Sequence, residues 1–258
     1  FGVVTSFEYQ LHAVGPIILG GMVAYPLAKA KEVLRFYREF SNAAPDELTI
    51  YAAVLDPPDG GTVVALFCCY CGPLDKGDAV TRPMKSLTEP VVDMLGPMPY
   101  VAQQRIFDAG FPVGSYYYAK GGFFADLTDE AIEIFAEYAA RKPSALSGIV
   151  FQTVRGAAGR VASDAMAFAH RSFPYAPLIV SQWVDAVGSE KNVAWARDLW
   201  SALRAYAGGG VYVNDLDHDD ADRVRIAYGA NYPRLAALKK KYDPNNFFRL
   251  NPNIKPTV

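Results

Sequence analysis

Cysteine and histidine are both scarce, with three of each in 258 residues. The cysteines stand together as Cys68-Cys69-Tyr70-Cys71, so no disulfide framework ties distant parts of the chain, and a reducing compartment is compatible. The C-x-x-C spacing closes the run Val63-Val64-Ala65-Leu66-Phe67. A redox or zinc pair needs a turn or a helix start, so a buried structural strand is the expectation. His12, His170 and His218 are far apart, none with a partner four residues on. The run Asp215-Leu216-Asp217-His218-Asp219-Asp220 lacks the glycine and the distal glutamate of a calcium loop and reads as the acidic start of a helix. No metal site is therefore expected. Charge of one sign is lacking too: 25 basic against 27 acidic residues leave −2, which gives no reason to expect nucleic acid or an anionic membrane as partner. The longest apolar run, Thr62 to Cys71, is about half of the roughly 20 residues a membrane helix needs, and no signal-peptide pattern is present. No G-x-G-x-x-G, phosphate-binding G-x-x-x-x-G-K-[ST] or G-x-S-x-G motif occurs, and Gly156-Ala157-Ala158-Gly159 reads as a turn. A starting Met is missing as well: Phe1-Gly2-Val3-Val4-Thr5-Ser6-Phe7 reads as a strand already under way, so a piece of something longer is expected.

What is there is a core-forming composition, 51% hydrophobic and 13% aromatic, in elements that repeat in order. Ile17 to Tyr25 reads as a strand. After Pro26 comes a helix with Leu27, Ala30, Val33, Leu34, Tyr37 and Phe40 on one stripe. Strands Leu48 to Leu55 and Thr62 to Cys71 flank the turn-rich Asp56 to Gly61 as a hairpin, and a weaker helix covers Lys76 to Leu87. The order recurs. Ser115 to Gly121 is a strand, and Asp129 to Ala140 a helix behind Thr128 that buries Ile132, Phe135 and Ala136. Strands Ser147 to Val154 and Leu178 to Val184 follow, with Trp183 in the core. A helix from Ser189 to Ala207 carries Val193, Ala196, Trp200, Leu203 and Ala207 on one face and is stopped by Gly208-Gly209-Gly210. The expected fold is α+β, two ferredoxin-like strand-helix-strand-strand-helix units sharing one antiparallel sheet covered by helices. Glu89 to Pro112 is expected to be a lid or helical connector.

The C-terminal stretch reads Val211-Tyr212-Val213-Asn214, then Ala227-Tyr228-Gly229-Ala230-Asn231-Tyr232-Pro233-Arg234-Leu235-Ala236-Ala237-Leu238-Lys239, then Lys241-Tyr242-Asp243-Pro244-Asn245-Asn246-Phe247-Phe248. This resembles the closing signature of the berberine bridge enzyme-like FAD-linked oxidases, of the vanillyl-alcohol oxidase superfamily: Y-x-N, then Y-G-x-N-Y-x-R-L-x-x-L-K, then Y-D-P-x-N-F-F. The opening Phe1 to Tyr9 resembles the last strand of that family's flavin domain. The resemblance implies three parts: residues 1–14 as that strand, 15–215 as a substrate-binding α+β domain, and 216–258 packing back toward the flavin domain. It also implies that a flavin-binding domain, missing here, holds most of the FAD.

The implied reaction is oxidation of an alcohol or similar C–H group by hydride transfer to flavin, in which the cofactor carries the hard step. This chain alone is expected to be inactive. By resemblance, Tyr228 and Tyr212 reach the reacting centre, and Asn231, Asn214, Gly2 and Val3 contact the cofactor. Tyr116, Tyr118 and His170 would meet a small-molecule substrate. Alternation puts Tyr116 and Tyr118 on one sheet face and Tyr117 on the other. Phe168-Ala169-His170-Arg171 departs from the family's F-P-H-R at Ala169, where Pro would fix φ. Asp215 stands where the family often has an aromatic residue. Lys239, Lys240 and Lys241 suit a helix end, where cations meet the negative dipole. The alternative is a small-molecule binding domain that has lost flavin and redox activity.

Overall fold

The computed structural model describes residues 1–58, 60–217 and 223–257. Eight strands form one sheet: β1 (Ile17–Pro26), β2 (Leu48–Leu55), β3 (Val63–Tyr70), β4 (Val92–Asp93), β5 (Gly96–Pro99), β6 (Tyr116–Gly121), β7 (Gly148–Thr153) and β8 (Tyr175–Trp183). The helices are α1 (Ala30–Ala43), α2 (Leu74–Ser86), α3 (Tyr100–Gln103), α4 (Asp129–Ala140), α5 (Gly156–Arg160), α6 (Ser189–Leu203), α7 (Val224–Tyr228) and α8 (Tyr232–Tyr242). The sheet order is β4-β1-β3-β2-β7-β8-β6, and β5 also pairs with β1. Every pairing is antiparallel. Each repeat places its third strand between the first and second, as β1-β3-β2 and β6-β8-β7, and the two meet where β2 pairs β7. The repeated order and the shared antiparallel sheet are those the sequence predicts. No described helix is long and apolar enough to cross a membrane.

Alternation decides what each face does. Leu19, Val23 and Tyr25 of β1, Val64, Leu66 and Cys68 of β3, Ile149 and Phe151 of β7, and Tyr175, Ile179 and Trp183 of β8 join α1, α2, α4 and α6 in one core. Phe135 and Phe151 meet edge to face at 4.7 Å in its middle; truncating either to Ala would cost about 3–5 kcal/mol. Helix α4 starts as its sequence predicts, Ala131 donating its N–H to the Thr128 hydroxyl at 3.3 Å. Helix α6 differs from its predicted face. Asn192, Trp195, Ala196, Leu199 and Leu203 are buried, while Val193, Trp200 and Ala207 flank them, because Trp195 turns inward to donate its indole N–H to Tyr138 O. The helix ends at Leu203, ahead of the glycines.

The opposite face is covered over only half its width. Ala24, Ala53, Val63, Ala65 and Phe67 form a second cluster under Ile106 and Phe107, with Phe67 and Phe107 ring centroids 4.8 Å apart. The connector expected between the repeats is thus two short strands, β4 and β5, followed by α3. Gly21 makes that docking possible: its φ is +109°, and a Cβ there would stand 2.2 Å from Met94 O. Gly156 to Gly159, read as a turn, lie in the short helix α5, and the predicted opening strand at 1–7 is unpaired among the described residues.

Candidate functional site

Over β7, β8 and β6 the uncovered face remains half-exposed. Gly148, Val150 and Gln152 of β7, Ala176 and Leu178 of β8, and Ala119 of β6 share it. The side chains on its reverse are largely buried under helices. Most of these residues are small or apolar, so they make a flat shelf that water reaches. Tyr117 stands at one end, opposite Gln182, and donates its hydroxyl to Pro112 O at 2.8 Å while stacking on Phe111. Gln182 is fully buried there; its amide donates to Ser115 Oγ and its Oε1 has no partner among the described residues.

The C-terminal segment approaches from the β6 side. The turn Val213–Asp215 lies against β6, and α7 lies against that turn. A Cβ on Gly121 would stand 3.3 Å from Asp215 Oδ2, which places the Asp215 carboxyl on the shelf side of β6. Arg223 donates to Gly121 O at 3.1 Å and rests over the Trp200 ring. Burial pushes the Asp215 carboxyl up to about 6, against a smaller downward pull from Arg223. Sequence reading took Asp215 as part of an acidic helix start. The structure puts it in a 3-10 turn facing the sheet, and the rest of that run, 218–220 including His218, lies outside the described residues.

The predicted site residues do not gather in one place. Tyr212 and Asn214 come together: Asn214 donates its amide to the Tyr212 hydroxyl at 2.8 Å, and both are exposed. Tyr228 is half-buried beside Val224, Ala236 and Ile254, and burial raises its phenol above the ordinary value, so it keeps its proton. Tyr116 and Tyr118 share a face as predicted, but it is the helix-covered one. Tyr118 is 3% exposed, accepts from Arg197 Nε at 2.9 Å and belongs to the core; Tyr116 stacks on Trp183. Alternation made two faces legible without saying which was covered. Tyr117 is the tyrosine of this strand that faces the shelf. His170 is anchored: its ring stacks on Phe123, and Nε2 lies 2.9 Å from Ile226 O. A Cβ on Gly210 would sit 2.5 Å from that ring, so only glycine admits it.

Asn231 is 8% exposed and holds a loop: its Nδ2 donates to Ser163 O at 2.7 Å and Met166 O at 2.9 Å, with Ala167 O at 3.5 Å. It makes no side-chain cap on α8. Lys239 differs most from expectation. It is no solvated dipole cation but 1% exposed, ion-paired to Asp243 and donating to Phe248 O at 2.7 Å. Asp243 also accepts the N–H groups of Phe247 (2.8 Å) and Phe248 (3.0 Å); its bond with Lys239, foremost, holds the carboxyl down to about 2.

The donor sets test the FAD that the resemblance implies. An amide has two N–H hydrogens, and Asn231 spends both on loop carbonyls, so it fits only as an anchor for that loop. Asn214 and Tyr212 fit better, since Asn214 keeps a second hydrogen and Tyr212 its own hydroxyl proton, both in reach of solvent. Gly2 has open space about it and Val3 is 76% exposed, so their backbone is accessible. No described cluster of three or more His, Cys, Asp or Glu is placed to hold a metal.

Residues 211–255 match the family described as Berberine and berberine like. An FAD-linked oxidoreductase of Dictyostelium discoideum is 33% identical over 260 residues, covering 99% of this chain and 56% of that protein. The (R)-6-hydroxynicotine oxidase of Paenarthrobacter nicotinovorans is 27% identical over 273 residues, covering 99% of this chain and 58% of its own length. Among solved structures, a berberine bridge enzyme-like protein of Arabidopsis thaliana (BBE-like #28) superimposes with a TM-score of 0.81 at 17% identity, over 95% of this chain and 58% of that one. The chain spans about half the length of the curated relatives it matches. The C-terminal segment thus carries the berberine-like signature, the whole chain is similar to FAD-linked oxidoreductases of which it spans about half, and its fold is that of the berberine bridge enzyme-like structures.

Proposed function

We propose that this chain is the substrate-binding part of an FAD-dependent oxidoreductase that oxidises an alcohol or similar C–H group of a small molecule. The observation that carries this is the Asp215 carboxyl, held against Gly121 on the half-exposed side of the sheet. FAD, when bound, supplies a hydride acceptor at flavin N5. Substrate lies along β7, β8 and β6, where apolar and small side chains displace water and Tyr117 and Gln152 offer polar contacts. Asp215 takes the hydroxyl proton: a carboxyl titrating near 6 is ionised at neutral pH yet more basic than an ordinary carboxylate. Tyr228, protonated because it is half-buried, and Tyr212, oriented by Asn214, donate hydrogen bonds and position the reacting groups. Residues 1–14 belong beside the flavin-binding domain, 15–215 form the substrate domain and 216–258 bind back toward the cofactor. FAD is held mainly by a domain outside this chain, and this chain alone is inactive.

The test is anaerobic flavin bleaching in the full-length protein. Substrate should reduce the flavin, and Asp215→Asn should slow that step by about 10²–10⁴-fold at pH 7, with substrate binding retained. A full-length protein that stays colourless after expression with flavin would overturn the redox reading in favour of a flavin-free binding domain. A coloured protein whose Asp215→Asn variant reduces flavin at the unaltered rate would remove Asp215 from the chemistry.

A further inference from the structure

The thiols at the end of β3 do not share one environment. Cys68 lies on the helix-covered face and is 1% exposed. Cys69 faces the other way, between its sheet partners Gly20 and Thr49, and is half-buried. Cys71, just past the strand, is exposed, and its N–H donates to Glu47 O at 2.9 Å. Two residues apart on one face, Cys69 and Cys71 bring their sulfurs to 3.6 Å. Nothing in the proposed oxidation uses them.

We infer that Cys69 and Cys71 are a reversible dithiol–disulfide pair, oxidised by a hydroperoxide, with Cys71 the attacking and Cys69 the resolving thiol. Exposure gives Cys71 access to the oxidant. Burial foremost, then the hydrogen bond and neighbouring sulfur of Cys71, push the Cys69 thiol up to about 12, which leaves the exposed Cys71 as the thiol the oxidant meets. The Cys71 thiolate attacks the peroxide oxygen, the O–O bond breaks and hydroxide leaves, giving Cys71 sulfenic acid. The Cys69 sulfur then attacks the Cys71 sulfur. An S–S bond forms, the S–O bond breaks, and the departing hydroxide leaves as water with the Cys69 proton. Two thiols lose two electrons and two protons, and one hydroperoxide takes them up.

The backbone makes this bridge reducible. Two strand residues span about 6.6 Å between Cα atoms, near the long limit of about 6.8 Å for a disulfide. A bond closed near that limit is strained, and a strained bond is easily cleaved by an external thiol. Cys68 cannot serve as partner, because adjacent strand residues point to opposite faces.

Intact-mass measurement on the folded full chain tests the assignment. Hydrogen peroxide should lower the mass by about 2 Da, two hydrogens, and dithiothreitol should restore it. Cys68→Ser should behave the same way. Cys71→Ser should lose the response. Cys69→Ser should instead gain about 16 Da or trap an added small thiol on Cys71, as an attacking residue without its resolving partner must. Fragmentation placing the bond on Cys68, a covalent dimer as sole product, or stepwise oxygen addition to Cys71 with no loss of two hydrogens would each overturn it.

Discussion

The segment from Asn231 to Phe248 and the shelf over β7, β8 and β6 divide the molecule's work between them. The first carries the signature that makes the chain recognisable, and its polar side chains are spent on the protein itself: Asn231 on the 163–167 loop, Lys239 and Asp243 on each other and on the turn at Phe247 and Phe248. The second has no motif, yet it holds the half-exposed surface, the shelf-facing tyrosine Tyr117 and the carboxyl raised to about 6. Buried polar networks tolerate little change, because each unpaired member costs its full desolvation. A shelf that binds substrate, as proposed, is free to change side chain by side chain. A family's most legible residues can therefore hold the fold while the less legible ones do the chemistry.

Breaking the Lys239–Asp243 pair is the strongest test of the first half of that comparison. Lys239→Met leaves a buried carboxylate without its cation, and the urea midpoint should fall further than for any other change described here. Tyr117→Phe, on the shelf, should leave that midpoint in place. The pair also sets an acid limit. Because the folded carboxyl titrates near 2, below its unfolded value of about 4, its stabilisation is present above pH 4 and is lost as pH falls from about 4 through 2. Urea midpoints measured across that window should show the loss in the parent protein and none in Asp243→Asn. Next in size is Asn231→Ala. It leaves the Ser163 and Met166 carbonyls without their donor and should cost about 2 kcal/mol by urea denaturation, with proteolysis of the 163–167 loop rising first.

Asp215→Asn sharpens the comparison by reversing the sign. A carboxyl whose folded value is about 6 binds its proton more tightly folded than unfolded, so stability falls as pH rises between about 4 and 6 and is not regained above. The variant should melt like the parent below pH 4 and above pH 6 be more stable, by about 2–3 kcal/mol. The same change removes the proposed proton acceptor. A substitution that stabilises the fold and silences the reaction would mark Asp215 as a residue kept for function. Equal melting temperatures at pH 4 and pH 7.5 would count against the half-buried, raised carboxyl.

Much of the architecture was legible because periodicity reports burial. Leu48–Leu55 and Asp129–Ala140 appear with the predicted bounds, and the repeat order survives into the sheet order. Alternation also separated Tyr117 from its neighbours, but sequence holds no record of which face the helices cover, so Tyr116 and Tyr118 were assigned to substrate when Tyr118 lies in the core. The strands at Val92–Asp93 and Gly96–Pro99 are too short to show a period, and their pairing rests on a glycine, Gly21, distant in sequence. Asp215 was legible as a charge but not as a half-buried one. Its environment comes from Gly121, about a hundred residues away, and long-range burial has no local signature. For the same reason Lys239 read as a helix-end cation and not as half of a buried pair.

The finest test sets two adjacent tyrosines against each other. Tyr118→Phe removes an acceptor of the Arg197 Nε–H at the edge of the core and should cost about 1 kcal/mol of stability with little effect on substrate affinity. Tyr117→Phe loses only a hydrogen bond to Pro112 O at an exposed site, so stability should change by less than about 0.5 kcal/mol. If the shelf binds substrate, Tyr117→Phe should raise KM with kcat near the parent value, the pattern of lost uniform binding. The two variants remove one oxygen each, one residue apart, on opposite faces of one strand. A KM effect at Tyr118 without one at Tyr117 would place substrate on the helix-covered side of β6, where Arg197 and Lys120 sit against the Tyr118 ring, and would move the site away from Asp215.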